Sequence, residues 1–368
     1  MKVLFVIAHL DKGGGQAVQA RQLVDRLSRR VQGEFIGLSA IRGGETRTLD
    51  PAFRVVGRLR FPGGIRELER AIRERLPGTD LVQVFDPYYA LPAARLARAR
   101  PLVVRLGAHP IEDLASRFGA PARIFLGMAN PWLYADTQVV VNARHLGGEF
   151  GRRPVTFIPN GVDTSRFPPA ERATARAALD LPPDVPIAAF TGKIIPRKNV
   201  EDLYWLAQNL PGLHVLLVGT DQEPYYGDRY HREVRRAFSD VLPRVHHVGE
   251  VEMERIPQYL AAADLFVFPS RLEGMPNSVL EAMAAGLPVI AADTPAHREV
   301  FPPGDGSFYV NRAALLARAT ALVGDPRASA EEGARNRRWV ESHFSLEAAA
   351  DAYVALYERV VSGASSRG

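Results

Sequence analysis

Arg271-Leu-Glu-Gly-Met-Pro-Asn-Ser-Val-Leu-Glu281, running on as Ala-Met-Ala-Ala-Gly-Leu-Pro288, is the stretch that decides how this chain folds. An apolar strand, Leu265 to Phe268, leads into it, and a helix from about Asn277 leads out. Strand, Gly/Pro-rich turn and helix make up the repeating unit of a parallel α/β sheet. The turn also presents backbone N–H groups at the positive end of a helix, where an anion can dock. Glu273 lies before that point and Glu281 about a turn inside the helix. A ligand with phosphate in the middle and a hydroxyl-bearing sugar at each end suits two carboxylates so placed, because a carboxylate accepts two hydroxyl donors side by side. A sugar nucleotide is such a ligand. Ser278-Val-Leu-Glu281 also has the capping-box pattern, in which Glu281 closes on its own helix. Glu273 sits in the turn, where the structural alternative is only a solvated loop charge.

Working outward, the second half alternates regularly: strand Ile187–Thr191, helix Asn199–Asn209, strand His214–Val218, helix Arg229–Phe238, strand Val245–Val248, helix Ile256–Ala262, then the strand and helix above and strand Val289–Ala292. The first half repeats the rhythm, with strands at Lys2–Ala8, Glu34–Leu38, Phe53–Arg60, Leu81–Phe85, Leu102–Leu106 and Val139–Val141. Gln16–Arg30 and the Ile65, Leu68, Ile72, Leu76 series have helical spacing. Phe167–Pro186, with five prolines and a short helix at Glu171–Leu179, breaks the pattern and is expected to be the interdomain linker. The predicted architecture is therefore α/β, with two doubly wound Rossmann-like domains, 1–165 and 166–345, and a C-terminal helix, 346–368. Ligands are expected at the carboxyl ends of the strands, facing a cleft.

Composition narrows the class. The chain has 368 residues, 46% of them hydrophobic and 24% charged, a soluble globular profile. No apolar run approaches the roughly 18 residues of a membrane span, and the N-terminus reads as a first strand rather than a signal peptide. Cysteine is absent, which removes disulfides and thiolate metal sites and leaves a cytoplasmic protein as the expectation. Net charge is +5, unevenly spread: 24 Lys/Arg against 15 Asp/Glu through Ser165, and 22 against 26 thereafter. A basic first half suits an anionic membrane, a phospholipid-linked acceptor or an acidic glycan, although an Arg-rich genome produces the same bias. No nucleic-acid recognition motif is present.

Three further clusters bear on chemistry. Thr191-Gly192-Lys193-Ile-Ile-Pro196-Arg197-Lys198-Asn199 places three cations between the end of a strand and the start of a helix, where they can neutralise the diphosphate leaving group of glycosyl transfer. Gly13-Gly14-Gly15 follows the first strand and allows close approach of a ligand, but lacks the spacing of a dinucleotide fold. Ile158-Pro-Asn-Gly-Val-Asp163 closes the first domain and reads as chiefly structural.

Taken together, the Gly-rich loop, Pro159-Asn-Gly-Val-Asp163, Gly192-Lys193 with Arg197-Lys198, and Glu273-Gly-x-Pro-Asn-x-x-Leu-Glu281-Ala-Met-Ala resemble the retaining GT-B glycosyltransferases of family 4, or group 1, over nearly the whole chain. Phe344-Ser-Leu through Leu356-Tyr resembles the family's last helix, which crosses back onto the first domain. The resemblance implies that Glu281 binds the nucleotide ribose and Glu273 the donor hexose. It gives the diphosphate to Lys193 and Lys198, with Arg197, Gly192, Gly274, Pro276, the backbone at Asn277 and Ser278, and Gly14 and Gly15 around the donor. It also implies no cofactor, no metal, and retention by front-face attack. Two positions depart from the pattern. Lys193 stands where relatives usually have Arg, keeping the charge but losing the planar fork. Val103-Val-Arg-Leu-Gly107 puts glycine where relatives often have a catalytic His, with His109 two residues on and His9 a lesser candidate.

The acceptor is expected to be a saccharide or lipid-linked hydroxyl. The helix around Ile65–Leu76, with Arg66, Arg70, Arg73 and Arg75, offers possible peripheral contact with an anionic bilayer, or else is a solvated face balanced by Glu67, Glu69 and Glu74. The expected activity is hexose transfer from a UDP- or GDP-linked donor. A sugar-nucleotide-binding protein without turnover, a sugar-nucleotide isomerase, and a hydrolase using both glutamates are the alternatives.

Overall fold

The computed structural model describes residues 1–7, 15–39, 53–58, 63–107, 131–150, 153–168, 171–221 and 228–365. The chain forms two compact units, Met1–Gly161 with Leu346–Gly368, and Val162–Ser345. The break thus falls at Gly161/Val162, not at 165/166. The Val162 N–H donates to the Phe344 carbonyl at 2.8 Å, and Val162 bridges to Ser345, so the two ends of the second unit are tied together. The proline-rich stretch expected to link the domains belongs to the second unit instead. Its helix, Arg172–Ala178, buries Arg176, whose guanidinium reaches Asp264 Oδ2 at 2.6 Å and the Ala262 carbonyl at 2.9 Å. A buried cation with a carboxylate partner anchors a segment; a linker would leave it in water.

Among the described residues of the first unit, the strands are β1 (Lys2–Ile7), β2 (Gln32–Ser39), β3 (Phe53–Arg58), β4 (Leu81–Val84), β5 (Leu102–Leu106), β6 (Thr137–Val141) and β7 (Val155–Phe157). They form one parallel sheet in the order β3-β2-β1-β4-β5-β6-β7. β4 and β5 are buried at every position, as expected of parallel strands covered on both faces. One face packs α2 (Gly63–Arg75) and α3 (Ala90–Leu96), the other α1 (Gly15–Leu27) and the C-terminal helix Leu346–Ser365. That last helix inserts Tyr353, Leu356 and Tyr357 beside Phe5. α2 spends its apolar side, Leu68, Ala71 and Ile72, on this core, and Arg75 reaches Glu34 at 2.7 Å. Only charge remains on its outer side for a bilayer. No helix among the described residues is long and apolar enough to cross a membrane.

The second unit carries β8 (Ile187–Thr191), β9 (His214–Val218), β10 (Val245–Gly249), β11 (Leu265–Phe268), β12 (Val289–Ala292) and β13 (Phe308–Tyr309). The order is β10-β9-β8-β11-β12-β13, all parallel. The chain lays β8, β9 and β10 outward, then returns to place β11 on the other side of β8. Between β8 and β11 the winding reverses, and in sheets of this kind ligands bind at the carboxyl ends of the strands at such a switch point. Its helices are α4 (Arg172–Ala178), α5 (Glu201–Asn209), α6 (Arg229–Ala237), α7 (Ile256–Ala261), α8 (Asn277–Ala284), α9 (Pro295–Arg298), α10 (Arg312–Gly324) and α11 (Pro326–His343).

Candidate functional site

The loop after β8 starts as a continuation of the strand. The Gly192 N–H donates to the Val218 carbonyl at 2.9 Å and the Ile194 N–H to the Thr220 carbonyl at 2.8 Å. Gly219, at φ +149°, lies so close that a Cβ there would stand 2.0 Å from the Gly192 carbonyl oxygen. Pro196–Lys198 form a single 3-10 turn, ended by Asn199 in the left-handed region at φ 52°, ψ 43°. Asparagine tolerates that conformation better than most residues. Its side chain is held from both sides: Nδ2 donates to Asp202 Oδ2 at 2.7 Å, and Arg271 Nη2 donates to Oδ1 at 3.2 Å.

The loop after β11 is stitched to this one. The Arg271 N–H donates to the Arg197 carbonyl at 3.0 Å, and Arg197 Nη1 returns a bond to the Leu272 carbonyl at 2.9 Å. Glu273 is thereby brought to the cations. Its Oε1 lies 2.6 Å from Lys198 Nζ, 3.3 Å from Arg197 Nη1 and 2.5 Å from the donating Ser270 Oγ. Lys198 Nζ also sits 4.7 Å above the Phe268 ring. Burial acts to raise the Glu273 carboxyl, but Lys198, Arg197 and the Ser270 hydroxyl outweigh it and hold the group below the usual carboxylate range. The junction of the two loops thus holds a carboxylate kept ionised beside Lys198, whose ammonium burial pulls below its usual range while Glu273 opposes that pull. Arg197 is the more exposed cation of the pair, and Lys193 is near enough to act electrostatically on Lys198.

α8 begins at Asn277 with Pro276 at its N-cap and no side-chain cap. The capping box therefore does not form. Pro276 precedes the first helical residue, and Ser278 already lies inside the helix. At the other end, the Leu287 N–H donates to the Ala282 carbonyl at 3.1 Å and the Gly286 N–H to Met283 at 3.0 Å, with Gly286 at φ +77°. This is a Schellman motif. Glu281 lies one turn inside α8, where burial pushes its carboxyl up to about 7 against a partial opposing pull from Arg166. Arg166 ends a 3-10 turn, Thr164–Arg166, that Asp163 caps by accepting from the Ser165 N–H at 3.2 Å. Asn160 of the same motif is buried and accepts from Asn142 Nδ2 at 3.1 Å and from Arg105.

The structure brings together Arg197, Lys198 and Glu273, with Gly192 at the head of the same loop and Gly274, Pro276, Asn277 and Ser278 leading into α8. Glu281 has Arg166 as its charged neighbour. Gly15 is the first residue of α1, while Gly14, His9 and His109 lie outside the described residues. Ser270 and Arg166 were missed by sequence reasoning. Ser270 adjoins the deciding stretch, but nothing in a one-dimensional pattern points Arg166 at a residue more than a hundred positions away.

The family model described as "Glycosyl transferases group 1" matches residues 185–325, which span β8 to the end of α10 and contain Gly192, Lys198, Glu273 and Glu281. Residues 185–325 are a group 1 glycosyltransferase domain. The glycosyltransferase likeness extends through related sequences. A GDP-mannose-dependent monoacylated alpha-(1-6)-phosphatidylinositol monomannoside mannosyltransferase of Corynebacterium glutamicum is 32% identical over 225 residues, 55% of this chain and 56% of that protein. The lipopolysaccharide core biosynthesis mannosyltransferase LpsB of Rhizobium meliloti is 30% identical over 218 residues, 56% of this chain and 62% of its own. The chain therefore spans little more than half the length of these curated relatives. Among solved structures, sucrose-phosphate synthase from Thermosynechococcus elongatus superposes with a TM-score of 0.83 at 22% identity, covering 98% of this chain and 99% of that one. Anabaena HepE in complex with UDP-glucose gives 0.77 at 21%, covering all of both. These likenesses bear out the fold: two parallel sheets of GT-B type.

Proposed function

We propose that this chain is a glycosyltransferase that moves a hexose from a nucleotide-sugar donor to a sugar or lipid-linked hydroxyl, with retention of anomeric configuration and no metal ion at the transferring centre. The observation that carries the reading is the Lys198–Glu273 pair beside Arg197, at the point where the second sheet reverses its winding. A diphosphate seated there meets Arg197, Lys193 and Lys198 and the amino end of α8. Fixed cations aimed at a leaving nucleoside diphosphate stabilise the charge that develops as the bond to the sugar breaks, each such group contributing roughly 3 kcal/mol by analogy with other preorganised donors. Glu273, held ionised, accepts hydroxyls of the hexose. Glu281, poised near neutrality, accepts from or donates to the ribose diol. For retention, the bond from the anomeric carbon to the acceptor oxygen forms on the face from which the phosphate departs, and a phosphate oxygen takes the acceptor's proton.

GDP-mannose is the first donor to try, because both relatives described above are named mannosyltransferases and the one from Corynebacterium glutamicum is GDP-mannose-dependent. Their names also point to acceptors built on phosphatidylinositol or lipopolysaccharide core. The test is to incubate the purified chain with GDP-mannose or UDP-glucose and mannosylated phosphatidylinositol, reading the product anomer by NMR. Transfer with retention is expected, and Glu273→Gln should lose at least about a hundredfold in rate while still binding nucleoside diphosphate by calorimetry. Donor binding without transfer marks a binding protein, a rearranged donor marks an isomerase, and cleavage of plain glycosides without nucleotide marks a hydrolase.

A further inference from the structure

We infer that Asp221, His231 and His247 form a binding site for a divalent transition metal, with Zn2+ the best match, separate from the transfer chemistry. Each offers one ligand atom, and these atoms all lie within 4.8 Å of one another. Three elements deliver them: Asp221 from the loop after β9, His231 from α6 and His247 from β10. Two imidazoles and a carboxylate are donors that Zn2+ takes readily, and three protein ligands leave a fourth position for water.

The surroundings fit ligation as well as the donors do. A metal-bound histidine usually gives its other ring N–H to an oxygen, which sets the tautomer and the ring plane. His231 Nε2 lies 2.7 Å from the Tyr204 hydroxyl, and His247 Nε2 lies 3.1 Å from the Gly219 carbonyl. The carbonyl can only accept, so His247 carries its proton on Nε2 and a lone pair on Nδ1. His231 Nδ1 faces Asp221 Oδ2 at 2.8 Å. On metal binding its ring proton moves from Nδ1 to Nε2, where the Tyr204 oxygen accepts it, and the lone pair on Nδ1 goes to the metal. The two rings already stand at 83° with centroids 4.7 Å apart. A tetrahedral centre with bonds of about 2.1 Å needs donors roughly 3.4 Å apart, so small rotations of Asp221 and His247 complete it. Both are partly exposed, which gives an ion its way in, while His231 is 1% exposed and fixed. No spacing signature announces these residues in the sequence, because only the β9–β10 pairing and α6 assemble them. The loop that bears Gly219 to Asp221 accepts from the Ile194 N–H at Thr220, next to the Gly192 N–H bond to Val218 at the end of β9, so the ion would brace the backbone that leads to Lys193.

The test uses tag-free full-length protein, stripped with chelator and re-equilibrated with Co2+ or Zn2+ at micromolar concentration. One ion per chain is expected, with the visible d–d absorption of four-coordinate cobalt, displacement by Zn2+ and a raised melting temperature. His247→Gln and Asp221→Asn, both at partly exposed positions, should weaken binding at least about tenfold. His214→Gln, which disturbs the neighbouring His214–His246 contact at 2.9 Å, should leave uptake intact. Absence of stoichiometric uptake by folded wild type, or uptake that survives His247→Gln and Asp221→Asn, overturns the inference and leaves Tyr204, His231 and Asp221 as a hydrogen-bonded brace.

Discussion

Lys198 and Glu273 neutralise one another with side chains only 11% exposed each. Removing one member of such a pair strands the other, at a cost of about 3–5 kcal/mol. Glu273→Ala should therefore lower stability in urea by that amount, and added nucleoside diphosphate should recover part of it by replacing the lost anion beside Lys198. Glu281 behaves in the opposite sense. Its folded pKa, about 7, lies above its ordinary value of 4.5, so the folded state holds the proton more tightly. The protein is then most favoured below the lower value, loses stability as pH rises between the two, and stays lower above. Glu281→Gln removes that loss. Against wild type, the variant should gain about 1–2 kcal/mol at pH 8 and much less at pH 5, a smaller effect than the full shift because the side chain is partly exposed. Denaturant titrations at the two pH values check it, and a variant no more stable at pH 8 refutes the assignment. The residue types of this site were legible from the chain, but the pairing was not. Lys198 and Glu273 are 75 positions apart, and only the adjacency of β8 and β11 joins them.

Elements owe their ends to backbone geometry. Gly286 terminates α8 in the left-handed region, and a Cβ on Gly333 of α11 would lie 1.9 Å from the Gly286 carbonyl oxygen. Helix and turn meet there with no room for a methyl group. Gly333→Ala should cost about 1–3 kcal/mol or more, since overpacking against backbone cannot be relieved by a rotamer change; a melting temperature within a degree of wild type would contradict it. The buried strands were readable because parallel strands covered on both faces are uninterrupted apolar runs. β7 and β13 were not, since three residues and two residues carry no periodicity. The capping box, the structural alternative for Glu281, does not form for a definite reason: Pro276 takes the N-cap position and leaves Ser278 two places too deep. The proline-rich stretch misled because proline density resembles a linker, whereas the Arg176–Asp264 pair that anchors it spans 88 positions.

Charge is divided between the units. Met1–Gly161 with Leu346–Gly368 holds 26 Lys/Arg against 17 Asp/Glu, while Val162–Ser345 holds 20 against 24. Because α2 has no apolar side to spare, any attraction of the first unit to anionic vesicles is electrostatic. Sedimentation with such vesicles should show binding at low ionic strength that falls steeply at about 0.15 M salt, where screening acts within roughly 8 Å, and Arg66→Glu with Arg70→Glu should reduce it. Binding that resists salt would contradict this. Truncation after Ser345 should uncover the apolar face around Phe5, Phe35 and Phe85 and leave the first unit prone to aggregate, while a segment made of Val162–Ser345 keeps its sheet intact. The closing helix has a bearing on birth as well as on stability. On the ribosome, the segment that begins second has its whole sheet available before residue 346 is made. The segment that begins first must wait, its aromatic wall bare, until Leu346–Ser365 has been made to seal it.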